Sequence, residues 1–227
     1  MTQITATYID HMGSDLSVVN AARVSFGKKS AYVYSGVDTN GPPEKDLHVR
    51  DKKLINYLAK HKHISPFGHA FASFHIKAPI FVARQLVKHK FLRWNEISRR
   101  YVDDEPQFYV PDVWRGRSTD KKQGSEGEVE LEGIDAYILD DYTSEALTAY
   151  HALLWSGVAP EQARMVLPQS TMTEWYWSGS LDALADMCRL RCKEDTQYES
   201  RLVADQVSTI MQDLYPVSWD ALMGETE

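Results

Sequence analysis

Cysteine is scarce in this sequence, with 2 among 227 residues. Two cysteines cannot build the disulfide framework of a small secreted domain. Cys188 and Cys192 also lack the CxxC spacing of redox and zinc motifs. The cysteine content therefore favours a reducing compartment.

Long apolar runs and targeting signals are missing as well. No stretch approaches the roughly 18 consecutive apolar residues that span a bilayer. The first residues, Met1–Thr5, lack the basic start and apolar run of a secretory signal. We therefore expect a cytoplasmic protein, located in the host cytoplasm if it is viral, with no membrane partner.

The net charge of −7 is unevenly distributed along the chain. Residues 103–145 hold 13 Asp and Glu against 4 Lys and Arg, so this segment carries −9 and the remainder +2. Residues 84–100 hold six Lys and Arg against the single acid Glu96. One dense basic stretch in an acidic protein indicates a local anion site rather than a broad polyanion surface.

Apolar periodicity predicts a mixed α+β chain with a mainly helical C-terminal half. Hydrophobic residues make up 43% and charged residues 25%, which are the proportions of a folded domain rather than a disordered one. The predicted strands are Ile4–Ile9, Phe71–Lys77 and Thr171–Trp177. The predicted helices cover residues 47–61, 80–90, 140–156, 160–167, 180–193 and 196–214.

The domain organisation is predicted to be simple. We interpret residues 1–227 as a single domain without internal repeats. Loops are expected over Gly36–Pro43 and Arg115–Gly133. The second loop is polar and acidic, and it is interpreted as a surface insertion without chemistry.

The basic stretch contains the residues most suited to binding. Lys88, His89 and Lys90 are predicted to crowd the C-terminal end of a helix, where cations also interact favourably with the dipole. The following segment, Arg93–Tyr101, is predicted to be a compact loop that combines cations with a carboxylate, an amide and a hydroxyl. Such a mixture can bind a phosphate while it hydrogen-bonds a polar ring.

Two further groups of residues have a functional and a simpler interpretation. His61, His63 and His69 could hold a metal, but no Cys or carboxylate cluster accompanies them, so no metal site is predicted. Trp175–Trp177 could stack on a ligand ring, although core aromatics are the better interpretation.

Several motifs in order along the chain resemble one enzyme family. Lys88-His89-Lys90, seven residues and then Ser98 is similar to the Arg-His-Arg, seven residues, Ser signature of the flavin-dependent thymidylate synthases, the ThyX family. The other similar segments are Ala21–Phe26, His63–His69, Phe74–Gln85, Asn95–Tyr101, Ala163–Pro168 and Leu190–Arg191. The resemblance extends over roughly residues 8 to 214.

The resemblance implies a ThyX-like fold, with mixed helices and a central sheet rich in antiparallel pairing. It also implies the reductive methylation of dUMP to dTMP. FAD is the implied cofactor, with NADPH as reductant, methylenetetrahydrofolate as carbon donor and no covalent enzyme nucleophile. The implied assembly is a homotetramer whose active sites are shared between subunits.

The resemblance also assigns site residues. The implied dUMP contacts are Gln85, Lys88, Glu96, Ser98, Arg100, Arg164 and Arg191. Arg191 matches the residue that stabilises the ionised N3 of uracil, so it is the implied catalytic residue. The implied FAD contacts are Ser25, His63, Ser65, Lys88, His89, Lys90, Glu96, Ser180, Asp182 and Asp186.

The departures from the family pattern lie on the implied flavin side. Lysines replace both arginines of the signature, which keeps the charge but loses the planar fork. The positions of Ser180, Asp182 and Asp186 are typically Asn, Arg and Asn in the family, and Asp195 replaces a histidine.

Two alternatives to the methylation of dUMP stay open at this point. Altered flavin-side residues would suit a flavin-dependent pyrimidine-nucleotide hydroxymethylase, in which water captures the one-carbon intermediate. A nucleic-acid-binding protein would instead use the basic residues 84–100, and its affinity would fall steeply with salt. Small anions are the preferred ligands, with no nucleic-acid partner expected.

Overall fold

The structure is a computed structural model and describes residues 3–35, 44–102, 104–119, 124–132 and 134–224. The loop predicted over Gly36–Pro43 lies outside these residues. Within them, no helix combines the length and apolar character needed to cross a membrane.

The strands, numbered in chain order, are β1 Thr5–Met12, β2 Val33–Ser35, β3 Glu44–Asp46, β4 Phe71–Pro79, β5 Arg93–Glu96, β6 Trp114–Arg117, β7 Ser125–Val129 and β8 Met172–Ser180. The helices are α1 Asp15–Arg23, α2 Val49–Lys60, α3 Ile80–Leu86, α4 Ile134–Trp155, α5 Pro160–Ala163, α6 Leu181–Arg191, α7 Tyr198–Leu214 and α8 Pro216–Met223. Short 3₁₀ turns cover Val24–Phe26, Ser65–His69 and Arg164–Val166.

A four-stranded antiparallel sheet in the order β1-β4-β8-β5 forms the centre of the molecule. Alternate residues of β4 are buried, as the period-two pattern predicts. Trp175 and Trp177 of β8 are buried on the same face, opposite Ile76 and Phe74 of β4. This confirms that the two tryptophans belong to the core, whereas the core interpretation is wrong for Tyr176 between them, which points to the opposite face and is 51% exposed.

Helices α6, α7 and α8 pack on one another and complete the hydrophobic core. Leu184 and Met187 of α6 and Val207 and Met211 of α7 are fully buried there. The predicted α+β class, with a central antiparallel sheet and a helical C-terminal half, is confirmed.

The predicted helix from Ile80 ends earlier than expected. It stops at Leu86, and Phe91 has a left-handed backbone with φ 65°, which a helix cannot include. Lys88, His89 and Lys90 therefore lie in the turn beyond the helix rather than on its last turn.

The segment predicted as a compact loop begins with a strand. Arg93–Glu96 forms β5 because it pairs with the edge of β8, where Trp94 stacks on Trp175 with ring centroids 4.3 Å apart. The segment 115–133 also differs from the predicted loop, because β6 and β7 pair as an antiparallel hairpin. Pairing with a strand distant in sequence decides the first case, and pairing across a turn decides the second.

Candidate active site

A cavity of about 750 Å³ lies between α3, the C-terminal end of α6, the start of α7 and the β6–β7 hairpin. Gln85, Lys88 and Arg191 of the implied dUMP set line it. Arg115, opposite them on the hairpin, and Glu199 of α7 also line it. The cavity therefore presents several cations and hydrogen-bonding groups to one ligand.

Arg191 is held by two partners at the end of α6. Its Nε donates to Nε2 of His89 over 3.0 Å, and its Nη1 donates to Oε1 of Gln85 over 3.4 Å. A guanidinium has no acceptor, so His89 must present a lone pair at Nε2. Burial, together with the charge of Arg191, lowers the pKa of His89 to about 4. The imidazole is therefore neutral at pH 7. Its Nε2 accepts the hydrogen bond that holds the guanidinium of Arg191 in place.

Gln85 has little hydrogen-bonding capacity left for a ligand. Its Oε1 accepts from Arg191 and also from Oγ of Ser200 over 3.2 Å, and its Nε2 donates to Oε1 of Gln197. Both lone pairs of the oxygen are used, whereas one N–H of the amide is left. Gln85 can therefore donate to a carbonyl oxygen of a ligand but cannot accept from an N–H.

A second group of implied dUMP contacts lies at the end of β5 and does not line the cavity. The carboxylate of Glu96 accepts from Oγ1 of Thr173 over 2.6 Å and from Nε1 of Trp94 over 3.1 Å. Oγ of Ser98 accepts from the backbone N–H and from Nε of Arg100, each over 3.3 Å. These contacts organise an exposed polar group separate from Arg191.

Arg164 belongs to neither of these two groups. It begins the 3₁₀ turn Arg164–Val166, is exposed, and donates from Nε to the carbonyl of Glu161 over 3.2 Å. The structure thus brings together Gln85, Lys88 and Arg191 but leaves the other implied dUMP contacts elsewhere on the same chain.

Some of the implied flavin contacts lie near the 3₁₀ turn that contains Ser65. Helices α1 and α6 both pack against this turn, and Ser25 lies in the turn that follows α1. Ser25, His63 and Ser65 are all exposed. Among the described residues, no group of three or more His, Cys, Asp or Glu side chains is arranged to hold a metal ion.

Helix α6 connects the two regions. Ser180 is the N-cap residue of this helix. A cavity of about 360 Å³ lies beside the helix and is lined by Lys62, Asp182 and Asp186. Within the described part of the chain, the buried Oδ1 of Asp182 has no hydrogen-bond partner. Asp186 pairs with Arg189 and lies close enough to His89 to act on its pKa. This face of α6 therefore offers a buried carboxylate oxygen of Asp182 that has no partner within the described residues.

Sequence reasoning missed the contribution of the β6–β7 hairpin and of α7. Arg115 of the hairpin forms an ion pair with Glu199 of α7, which is only 6% exposed, and its guanidinium lies 4.2 Å from the ring of Tyr198. One of the few cations in an acidic segment, and an acid eight residues after Arg191, are the available signals. Burial, with Glu199 nearby, raises the pKa of Tyr109 in the same cavity to about 12.

The residues that line the cavity suit an anionic ligand that also offers carbonyl acceptors. Comparisons with known proteins show the family of the chain. The family model described as "Thymidylate synthase complementing protein" matches residues 7–217. A flavin-dependent thymidylate synthase of Thermus thermophilus is 39% identical over 213 residues, covering 94% of this chain and 73% of the relative. One of Kosmotoga olearia is 40% identical over 219 residues, covering 95% of this chain and 88% of the relative.

A solved structure resembles the fold closely. The UMP/dUMP methylase PolB of Streptomyces cacaoi, bound with 5-Br dUMP, matches with a TM-score of 0.82 at 32% identity. The match covers 97% of this chain and 95% of that one. The chain belongs to the family of flavin-dependent thymidylate synthases and is an enzyme.

The residues present fit a flavin dinucleotide. Lys88 and Lys90 are exposed beside His89, so their ammonium groups are available to a pyrophosphate. The unpaired oxygen of Asp182 could accept from a ribityl hydroxyl or from the imide N–H of a flavin ring. Carboxylates at these positions would therefore hold the hydroxyl and imide groups rather than the phosphates.

Proposed function

We propose that this enzyme methylates dUMP to dTMP reductively with FAD as cofactor, NADPH as reductant and methylenetetrahydrofolate as carbon donor. The arrangement of Arg191 between neutral His89 and Gln85 carries the proposal. It places a fixed cation beside an amide N–H, which suits a pyrimidine ring that bears a carbonyl and gains negative charge. FAD supplies the redox chemistry when bound.

Arg191 would stabilise negative charge at N3 of uracil, which raises the electron density at C5. The remaining N–H of Gln85 would donate to a ring carbonyl oxygen. The guanidinium needs no reorientation during the reaction because His89 and Gln85 already hold it.

No protein nucleophile is assigned in this proposal. Oγ of Ser98 accepts two hydrogen bonds from Arg100, which is a donor rather than a base. Burial raises the pKa of the Cys188 thiol well above its usual value, so it is not a thiolate at pH 7. Both observations favour activation of the ring by charge stabilisation alone.

The active site is proposed to be completed between the subunits of a homotetramer. The residues suited to the phosphate, Ser98, Arg100 and Arg164, do not line the cavity of Arg191 in the same chain. Large apolar side chains beside them are exposed, with Tyr101 at 78% and Met165 at 79%. Burial of such side chains against another subunit would bring the separate groups together.

The flavin would be held by the Lys88–Lys90 turn, by Ser25, His63, Ser65 and Glu96, and by Ser180, Asp182 and Asp186 on α6. The lysines would contact the pyrophosphate and the α6 carboxylates the hydroxyl or imide groups. A cytoplasmic location is proposed because the two cysteines are free thiols.

Mass analysis of the nucleotide product tests the proposal. The purified enzyme is incubated with FAD, NADPH, methylenetetrahydrofolate and either dUMP or UMP. We expect dTMP from dUMP, and a visible spectrum of the protein that shows bound flavin. A hydroxymethyl product would replace the proposal with the hydroxymethylase alternative. Formation of a product from UMP but not from dUMP would show that UMP is the substrate. A colourless protein that does not bind added FAD would overturn the flavin dependence.

Oligonucleotide binding separates the proposal from the nucleic-acid alternative. We expect tight dUMP binding and no oligonucleotide binding at low salt. Tight oligonucleotide binding that weakens steeply with salt, without dUMP binding, would favour a nucleic-acid-binding protein instead.

A further inference from the structure

A continuous chain of hydrogen bonds joins Arg191 to the β6–β7 hairpin. Arg191 donates to Gln85, Gln85 donates to Gln197, and Nε2 of Gln197 donates to Oε2 of Glu199 over 3.4 Å. Arg115 of the hairpin pairs with the same carboxylate through Oε1. Two amides thus lie between a guanidinium and a carboxylate.

The two ends of this chain determine the direction of every bond in it. A guanidinium only donates and a carboxylate only accepts. Gln197 must therefore turn its nitrogen towards Glu199 and its oxygen towards Gln85. Gln85 must in turn present its nitrogen to Gln197 and its oxygen to Arg191. Neither amide can flip without placing two donors or two acceptors against each other.

We propose that Gln197 and Glu199 are positioning residues that fix the amide of Gln85, and through it the guanidinium of Arg191. This inference rests on the proposed function, in which Arg191 stabilises charge on the uracil ring. The carboxylate of Glu199 accepts from Gln197 and so fixes the direction of the hydrogen bonds in the chain. Gln197 connects this carboxylate to Gln85, which Glu199 cannot reach itself.

Burial makes this control effective. Glu199 is 6% exposed and Ser200, which also donates to Gln85, is fully buried. These two partners of the amides are therefore shielded from water, whereas Gln85 and Gln197 are only partly buried beside the cavity. Arg115 donates from Nε to Oγ of Ser125 over 2.8 Å, which ties the ion pair to the second strand of the hairpin.

Exchange of the amide and the carboxylate tests the inference. Glu199→Gln keeps the shape of the side chain but replaces the obligatory acceptor with an amide that can also donate, so only the Arg191 end of the chain still fixes the direction of the hydrogen bonds. We expect kcat with dUMP to fall about tenfold or more while KM for dUMP stays within about threefold. The double variant Glu199→Gln with Gln197→Glu returns an obligatory acceptor next to Gln85. It should bring kcat back to within about threefold of wild type.

Two further variants separate positioning from folding. Gln197→Met leaves the Arg115–Glu199 ion pair intact and should lose kcat to the same extent as Glu199→Gln. Gln212→Met, on the same helix but bonded only to the carbonyl of Pro216 in the described structure, is the matched control and should keep wild-type kcat. Flavin content and thermal midpoint are measured for each variant.

The outcomes discriminate between the two proposals. Recovery of kcat in the double variant supports positioning, because a role limited to docking the hairpin predicts no recovery. Wild-type kcat in Gln197→Met, or no recovery in the double variant, would overturn the positioning role while leaving the function intact. A wild-type enzyme that does not convert dUMP would overturn the proposed function and this role with it.

Discussion

Arg191 and His89 form the pair on which the proposed chemistry of the site depends. The sequence resemblance assigned Arg191 to the substrate and His89 to the flavin, without a link between them. In the structure His89 accepts from Arg191 over 3.0 Å, and its pKa is lowered to about 4 by burial and by that charge. The link depends on a turn that ends α3 early, which the helical periodicity does not reveal.

Substitution of Arg191 should affect turnover far more than cofactor binding. Arg191→Lys keeps the positive charge but loses the fork that contacts His89 and Gln85 together, so we expect kcat with dUMP to fall about 100-fold. Bound flavin, measured from the visible spectrum, should stay near the wild-type level. Arg201→Lys on α7 is the matched control and should leave kcat unchanged. Equal losses of turnover and flavin in Arg191→Lys would contradict the assigned role.

Neutral His89 should make the folded state sensitive to acid. Its folded pKa of about 4 lies below the ordinary value of 6.5, so the unfolded chain binds the proton first. Stability contributed by the neutral imidazole is complete above pH 6.5 and is lost as the pH falls towards 4. We therefore expect the thermal midpoint of wild type to fall more steeply over this range than that of His89→Gln. Parallel pH profiles of the two proteins would show that His89 is not held neutral.

Elements with strong local patterns could be predicted from the sequence, and elements fixed by distant partners could not. Alternation in β4 and apolar spacing in α6 and α7 gave their approximate bounds because each buries one face. Strand β5 and the β6–β7 hairpin were predicted as loops, since their pairing depends on residues far along the chain or on a turn. The hairpin matters most, because it supplies Arg115 to the cavity.

The N-terminal end of α8 is capped by Asp15, which lies near the start of the chain. The buried carboxylate of Asp15 accepts from the backbone N–H of Val217 over 3.0 Å and of Ser218 over 2.8 Å, at the start of α8. We expect Asp15→Ala to lower the free energy of unfolding by about 2 kcal/mol, measured by urea denaturation. Asp213→Ala, on the exposed face of α7, should change it by less than about 0.5 kcal/mol. Equal effects of the two substitutions would refute the capping role.

In the folded chain the implied dUMP contacts lie in separate places, which the sequence motifs do not reveal. The motifs place all the implied dUMP contacts in one set, whereas the structure separates the Arg191 cavity from Ser98, Arg100 and Arg164. Sequence order alone cannot show this division, because an active site shared between subunits leaves the same motifs in one chain.

Mixing of two inactive variants tests the sharing of sites. Arg191→Ala and Arg100→Ala remove residues from the two separate groups, so each variant alone should be inactive. Random assembly of the two into mixed tetramers should restore about a quarter of the wild-type activity per site, because some sites then receive both intact groups. The mixture is assayed after the subunits have been dissociated and reassembled. Absence of recovery, in mixtures shown to contain both chains, would place each complete site within one subunit.

The most direct test of the account is an anaerobic single turnover. Enzyme with its flavin reduced by NADPH is mixed with dUMP and methylenetetrahydrofolate, and the visible absorbance of the cofactor is followed while quenched samples are analysed for nucleotide. The account predicts that the absorbance of oxidised flavin returns only when both substrates are present, at the rate at which dTMP forms and in equimolar amount. Return of that absorbance without dTMP, or dTMP formation while the flavin stays reduced, would contradict it.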